Sequence, residues 1–134
     1  MTLKIQIVKD GEVIWEAPLT PTTIEIDHLR KKCREITRIF EALSNETRIM
    51  MLMKMMDEYP KPVSFTEIMK MLDANPKIIW ENIRRLSSIG LLERNGKGGY
   101  RCSNHGRIIF TTLTLALTKL MELMEDLGGE INVL

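Results

Sequence analysis

The first residues of the chain alternate between apolar and polar side chains, the period expected of a β-strand. The alternating apolar positions fall on both sides of an Asp-Gly pair and are Leu3, Ile5, Ile7, Val13, Trp15 and Ala17. Asp10-Gly11 is suited to a tight turn, because glycine tolerates the positive φ that such turns need. We therefore predict a β-hairpin over residues 3–17, followed by a linker from Ala17 to Thr23 that contains two prolines.

From Asp27 onward the apolar residues recur every three or four positions, as they do on one face of a helix. This period predicts a helix that begins at Asp27 and four more, at about 45–58, from Ser64 to about 73, at 76–89, and from Arg107 to about Leu127. Short polar residues that can accept a hydrogen bond from free backbone N–H groups stand at the predicted helix starts. These predicted caps are Asp27, Ser44, Ser64 and Asn75.

A second hairpin is predicted between the fourth and fifth helices. Residues 91–95 and 100–103 have strand character, and the turn between them contains three glycines. The predicted fold is mainly α with small β-hairpins: a winged helix-turn-helix with an N-terminal β-hairpin and a long C-terminal dimerisation helix. Its predicted parts are residues 1–23 (hairpin and linker), 24–107 (winged helix-turn-helix) and 108–134 (dimerisation helix and tail).

The fourth helix has one apolar face and one polar face. Ile79, Ile83 and Leu86 share the apolar face, which is expected to anchor the helix to the core. A helix held in this way can present basic side chains to the major groove, and a glycine-rich wing can approach the DNA backbone or minor groove. The candidate DNA-binding residues on this helix and wing are Lys77, Trp80, Glu81, Arg84, Arg85, Arg94, Lys97 and Arg101.

Composition and charge support this interpretation. The 134 residues are 44% hydrophobic and 28% charged, as in one soluble globular domain, which excludes long disorder and a disulfide scaffold. The net charge is only +1, yet residues 77–107 contain seven basic and two acidic residues, a local +5 that suits a polyanion. With no apolar run near the ~20 residues of a membrane span and an N-terminus too charged for a signal peptide, we expect a cytoplasmic protein without a membrane partner.

Three segments resemble ArsR-type winged-helix regulators. Residues 42–49 (ALSNETRI) resemble the signature that opens their second helix, residues 83–93 (IRRLSSIGLLE) the end of their recognition helix, and residues 100–107 (YRCSNHGR) their second wing strand. The resemblance covers about residues 28–127 and implies a dimeric DNA-binding transcriptional regulator. It also implies that Lys77, Trp80, Glu81 and Arg84 match the DNA-reading face, with the 94–101 hairpin as the wing.

The chain departs from that family where its members bind metals. The third helix lacks the Cys-x-Cys type motif, and the last helix contains no histidine, so neither family metal site is expected. Cys102 and His105 have the spacing of half a metal site, but we favour a half-buried strand cysteine and a surface histidine. Reduced thiols are expected at Cys33 and Cys102. We predict no metal and no cofactor, and no known catalytic motif is present, so an enzyme is not expected.

The last helix carries apolar residues at alternating steps of three and four, as on the seam of a coiled coil. These residues are Phe110, Leu113, Leu117, Leu120, Met124 and Leu127. One small domain has little core left to cover such a stripe, so we predict a symmetric homodimer through this helix.

Several alternatives remain open at this point. A winged helix can also serve as a protein-interaction module or as an architectural DNA binder with little sequence discrimination. Trp80 either contacts DNA or covers the joint between two helices, and Glu81 either reads cytosine or neutralises a neighbouring arginine. Seven methionines between Met50 and Met71 favour a methionine-filled core over an adaptable surface, with Met51 or Met55 exposed. The operator, the direction of regulation, any small-molecule effector and the role of the N-terminal hairpin are not revealed.

Overall fold

The computed structural model describes residues 3–19 and 26–126 and confirms a mainly α-helical chain with small antiparallel sheets. The elements are β1 (Lys4–Lys9), β2 (Glu12–Pro18), α1 (Ile26–Leu43), α2 (Glu46–Glu58), β3 (Val63–Ser64), α3 (Phe65–Leu72), α4 (Pro76–Ser88), β4 (Leu92–Arg94), β5 (Gly99–Cys102) and α5 (Asn104–Asp126). The described residues form two compact units, one up to Thr37 and the other from Arg38 onward. The sequence-based division at residues 23 and 107 stays a prediction. No helix within the described ranges has the length and apolar character of a membrane span.

The first unit contains the predicted N-terminal hairpin. β1 and β2 pair antiparallel, with Ile5 opposite Ala17 and a bulge after Ile7. Asp10 and Gly11 adopt φ values of 51° and 80°, the positive values that a two-residue hairpin turn requires. The predicted turn is therefore confirmed at these two residues.

The boundaries on either side of the predicted linker differ from expectation. β2 continues through Pro18, so the strand extends into the segment expected to be linker, and residues 20–23 of that segment lie outside the described residues. α1 already begins at Ile26, which places Asp27 in its first turn and not at its N-cap. A carboxylate in the first turn still interacts favourably with the positive end of the helix dipole.

α2 contributes several of the buried core residues of the second unit, from Arg38 onward, which we call the winged unit. Its N-cap is Asn45, whose side chain accepts a hydrogen bond from the backbone N–H of Arg48. Ser44, the predicted cap, instead donates its hydroxyl to a carbonyl of α1. The expectation that Met51 or Met55 is exposed was wrong, since both are fully buried, and Met53 is 56% exposed instead. Met51 and Met55 lie one helical turn apart, and the helical period turns Met53 to the opposite side.

The core of the winged unit is apolar and draws on every one of its helices. Residues of α2, α3 and α4 fill its centre, with side chains from the wing strands and α5 closing it. The fully buried large side chains are Met51, Leu52, Met55, Val63, Ile68, Ile79, Ile83, Leu86, Leu91 and Cys102.

The helix-turn-helix pair ends and begins where the capping residues predict. Ser64 accepts a hydrogen bond from the backbone N–H at position 67 and caps α3, which stops at a left-handed residue, Asp73. Asn75 caps α4 in the same way, and Pro76 occupies the first helical position, where its missing N–H has no cost. Gly90, just past α4, has a φ of 78°, as a glycine after a helix commonly does.

The wing is a three-stranded sheet with the order β3-β5-β4. The hairpin of β4 and β5 was predicted, but β3 was missed, because a strand of two residues leaves no alternating pattern. Val63 pairs with Tyr100, and both side chains are buried. Gly99 permits this pairing, since a Cβ there would lie 2.6 Å from the Cβ of Pro62.

α5 starts at Asn104, three residues before the predicted Arg107. Ser103 explains the earlier start: its hydroxyl accepts from the N–H of Gly106 and donates to the carbonyl of Gly90, which joins the end of α4 to the start of α5. Gly106 is needed here, because a Cβ at this position would collide with the carbonyl oxygen of Leu91. The structure therefore fixes the beginning of α5 against the residues that lead into the wing.

Candidate nucleic-acid interface

α4 has the two-faced character that its sequence predicts. Ile79, Ile83 and Leu86 are at most 2% exposed and fix the helix to the core. Lys77 and Trp80 are exposed on the other side, as are Glu81, Arg84 and Arg85. The helix therefore presents a polar face with three cations, which is the geometry that major-groove recognition requires.

Trp80 is 46% exposed. The indole is therefore neither fully covered nor fully free. This intermediate value is compatible with both roles that the sequence left open, a contact with DNA and a partial cover for the neighbouring helix.

A buried arginine, which the sequence analysis did not single out, holds α4 in this orientation. Arg48 on α2 is 8% exposed and donates Nη1–H to Oδ1 of Asn82 on α4 at 2.9 Å. Its other nitrogens donate to the carbonyls of Glu41 and Ala42 at the end of α1. Asn82 in turn donates its amide to the carbonyl of Ile78. One guanidinium thus joins three helices, and we call Arg48, Asn82 and the two α1 carbonyls the arginine hub.

The arginine hub carries a positive charge with no carboxylate partner among the described residues. Burial, and then repulsion by the nearby Arg85 cation, lower the pKa of Arg48 from its usual value. An arginine remains protonated at any physiological pH despite such a shift. The hub therefore adds to the positive potential at the polar face of α4.

The three predicted basic contacts of the wing differ in whether their side chain forms an ion pair. Arg94 and Lys97 are exposed, and neither has an ion-pair partner within the described ranges. Arg101, in contrast, donates from Nε to Oε1 of Glu93 on the neighbouring strand at 2.7 Å. Arg94 and Lys97 are therefore the two predicted wing contacts whose charge no carboxylate pairs with among the described residues.

Glu81 does not neutralise either neighbouring arginine directly. No ion pair within 4 Å links Glu81 to Arg84 or Arg85 in the part of the chain that the structure describes. All three side chains instead line one cavity beside α4. The remaining option from the sequence, a contact between Glu81 and a base, stays a prediction.

The two cysteines have opposite surroundings. Cys102 is fully buried, deeper than the half-buried position expected, and burial raises the pKa of its thiol to about 11. Cys33 is exposed, and both thiols are free. His105 is exposed, and no group of three or more potential metal ligands comes together within the described residues. A thiol with so high a pKa is a poor metal ligand and a poor nucleophile.

α5 leaves most of its predicted seam uncovered within one chain. Phe110 is 6% exposed and belongs to the core, whereas Leu113, Leu117 and Leu120 are 37%, 57% and 39% exposed. Met124 is 36% exposed, and Leu127 lies outside the described residues. Among the seam positions that the structure describes, only the first, Phe110, is therefore buried in the chain's own core.

Comparison with solved structures identifies the fold. The homodimeric winged helix-turn-helix DNA-binding domain of Mb0332 from Mycobacterium bovis, described as a possible ArsR-family transcriptional regulator, matches with a TM-score of 0.57 and 20% identity, over 72% of this chain and 90% of that domain. The transcriptional repressor BigR from Xylella fastidiosa matches with a TM-score of 0.54 and 15% identity, over 71% of this chain and 96% of that one. No protein-family model and no curated protein sequence matches. The chain has the winged helix-turn-helix fold that its sequence predicts.

Proposed function

We propose that this protein is a DNA-binding transcriptional regulator that acts as a homodimer. The observation that carries the proposal is the exposed basic face of α4, which the arginine hub fixes and which is followed by a wing with two cations that have no ion-pair partner in the described part of the chain. α4 enters the major groove, and the wing contacts the backbone or minor groove. The two solved structures of the same fold are described as a DNA-binding domain and a transcriptional repressor, which supports this proposal.

The exposed side chains of α4 have different roles in this proposal. Lys77 and Arg84 are the leading contacts, because a guanidinium can bind guanine in a bidentate manner and an ammonium can bind a phosphate. Glu81 lies one helical turn after Lys77 and one turn before Arg84, on the same face of α4. Its carboxylate can accept a hydrogen bond from the amino group of cytosine, which adds specificity and no affinity. Trp80 and Arg85 flank these residues, where they reach sugar or phosphate.

The homodimer forms through α5. The uncovered seam residues of α5, Leu113, Leu117, Leu120 and Met124, are the surface that supports this part of the proposal. A second copy of α5 covers this seam by symmetry. Two recognition helices related by this axis then favour pseudo-palindromic DNA with half-sites about 34–36 Å apart.

The first experiment measures fluorescence anisotropy with a random duplex of about 30 base pairs while the salt concentration is varied. The slope of log affinity against log salt reports the phosphates neutralised, at about −0.9 for each one. We expect a steep slope for the wild type. Arg94→Ala combined with Lys97→Ala removes up to two contacts for each chain, so the slope falls by up to about 3.6 for a dimer.

Lys61→Ala is the matched control, because Lys61 is exposed and lies on neither α4 nor the wing. This variant should retain the wild-type slope. If the wild type binds no DNA at low salt, the proposal is wrong, and a winged-helix module for protein interaction becomes the better explanation.

Sequence specificity requires a separate comparison once an operator is found by selection from random DNA. Arg84→Ala should weaken binding to the operator by about 1–3 kcal/mol and weaken binding to random DNA much less, as for a base contact. Equal losses on both DNAs would assign Arg84 to a phosphate instead. Little difference between operator and random DNA for the wild type itself would indicate an architectural DNA binder.

A further inference from the structure

A polar cavity of about 710 Å³ lies beside α4 and extends to the C-terminal end of α1. Its volume is within the range of small-molecule sites, roughly 300–1,000 Å³. The charged side chains that line it are Arg38, Glu41, Arg48, Glu81, Arg84 and Arg85. Arg38 and Glu41 belong to α1, so the cavity joins cations from two separate segments of the sequence.

The charge of this cavity is positive and poorly compensated. Four arginines and two glutamates line it, a net +2. Within the described chain, no ion pair within 4 Å links either glutamate to any of these arginines. Arg48 is directed to three neutral oxygens, and Arg85 lies close enough to repel it. The cavity thus holds cationic groups whose mutual repulsion an anion would relieve.

Guanidinium groups at such a site select a particular ligand chemistry. Each exposed arginine offers a planar set of donors that fits the oxygens of a phosphate or a carboxylate. Arg38, Arg84 and Arg85 are all exposed and have no ion-pair partner in the described residues, so their donors are available. We propose that the cavity binds a small polyvalent oxyanion, a phosphorylated or polycarboxylate metabolite, with Arg38 as a binding residue.

Such a ligand also regulates DNA binding, because the cavity shares a wall with the predicted DNA-reading face. Glu81, Arg84 and Arg85 belong to both. An oxyanion held between Arg38 and Arg84 occupies the arginine that would otherwise contact DNA, so the two ligands compete, and the competition is reciprocal. This second step rests on the proposed function, whereas binding of the oxyanion to the cavity does not.

The test uses pyrophosphate and citrate as probes, titrated into the full chain by calorimetry at constant ionic strength without DNA. We expect saturable binding of at least one probe at one site for each chain. Arg38→Gln should weaken it about tenfold or more, as for the loss of one charge-assisted contact. Lys61→Gln removes the same charge from a residue that does not line the cavity, so its affinity should stay within about twofold of the wild type.

The absence of saturable binding to the wild type would overturn the proposal, as would equal losses in Arg38→Gln and Lys61→Gln. Equal losses would mean that the probes respond only to total charge. These outcomes need no DNA, so they stand even if the protein binds none.

A second arm separates a free oxyanion from a DNA phosphate as the occupant. Pyrophosphate should displace an operator duplex from the wild type, and about tenfold more should be needed for Arg38→Gln. The affinity of Arg38→Gln for DNA alone should remain within about twofold of the wild type. If Arg38→Gln instead loses DNA affinity as strongly as Lys97→Gln does, the cavity holds a backbone phosphate, and the small-oxyanion proposal is wrong.

Discussion

Replacing the arginine of the hub tests how the structure holds α4 in place. Arg48→Met keeps a long side chain of similar length but removes all three hydrogen bonds to Asn82 and to the carbonyls of Glu41 and Ala42. A hydrogen bond from a charged donor contributes about 1.5–3 kcal/mol, so the three together give an upper bound of roughly 5–9 kcal/mol.

Two effects reduce this upper bound. The guanidinium no longer has to be buried, which returns part of its desolvation cost. Water can also reach the part-buried carbonyl of Glu41, whereas the buried carbonyl of Ala42 and the buried amide oxygen of Asn82 lose their donor. We therefore expect Arg48→Met to lower the free energy of unfolding by about 3–4 kcal/mol, which is a large part of the ~5–15 kcal/mol typical of a domain.

Urea unfolding followed by far-UV circular dichroism measures this loss. At this chain length, about 3–4 kcal/mol corresponds to a decrease in Tm of roughly 10–15 °C. Arg48→Lys should lie between the wild type and Arg48→Met, because an ammonium keeps the charge but lacks the planar set of donors. Arg85→Gln is the control: it removes an exposed neighbour that repels Arg48, so stability should change by less than about 0.5 kcal/mol or rise. A loss below about 1 kcal/mol in Arg48→Met would refute the hub as the element that orients α4.

Three further predictions concern other parts of the fold. Gly106→Ala should lower the free energy of unfolding by about 2–3 kcal/mol in urea, because its Cβ would collide with a backbone carbonyl, and Gly96→Ala, which meets open space, should be close to neutral; equal effects would contradict this. In the native protein Ellman's reagent should label Cys33 quickly and Cys102 only after unfolding. Because the pKa of the Cys102 thiol is raised from 9.0 to about 11, the unfolded state loses this proton at a lower pH than the folded state does. The free energy of unfolding should therefore fall as the pH rises from 9 to 11, and Cys102→Val should remove this loss. Leu117→Glu places a charge on the most exposed of the seam leucines that the structure describes and should convert a dimer into monomers in sedimentation, so an unchanged mass would exclude α5 as the interface.

Local chemistry made much of the fold predictable. Asn75 and Pro76 mark the start of α4, and Gly90 marks its end, because capping, a missing N–H and a positive φ act within a few residues. The apolar period then gave the correct buried face of α4. The exposed face of the candidate interface follows from that buried face, so its orientation away from the core was predictable as well.

What the sequence analysis missed depends on contacts between distant residues. β3 exists only because Val63 meets Tyr100, and two residues have no period of their own. Met51 and Met53 cannot be told apart by composition, since the packing of α2 against other elements decides which of them is buried. Arg101, a predicted DNA contact, forms an ion pair with Glu93 on the neighbouring strand, and this pair can be recognised only when the register of β4 and β5 is known.

The arginine hub links the stability of this fold to its proposed ligands. The hub surrounds the buried Arg48 with neutral oxygens and has Arg85 nearby, and no carboxylate of the described residues pairs with it. This arrangement leaves a positive potential at the face that α4 presents and has a cost in the folded protein without ligand. An anion in the cavity should offset this cost. Pyrophosphate at a concentration of 100 Kd should therefore raise the free energy of unfolding of the wild type by ~2.7 kcal/mol, because it binds the folded state, and the Tm should rise accordingly. The same addition should raise the Tm of Arg38→Gln much less, because that variant retains the hub but lacks one of the arginines that hold the anion.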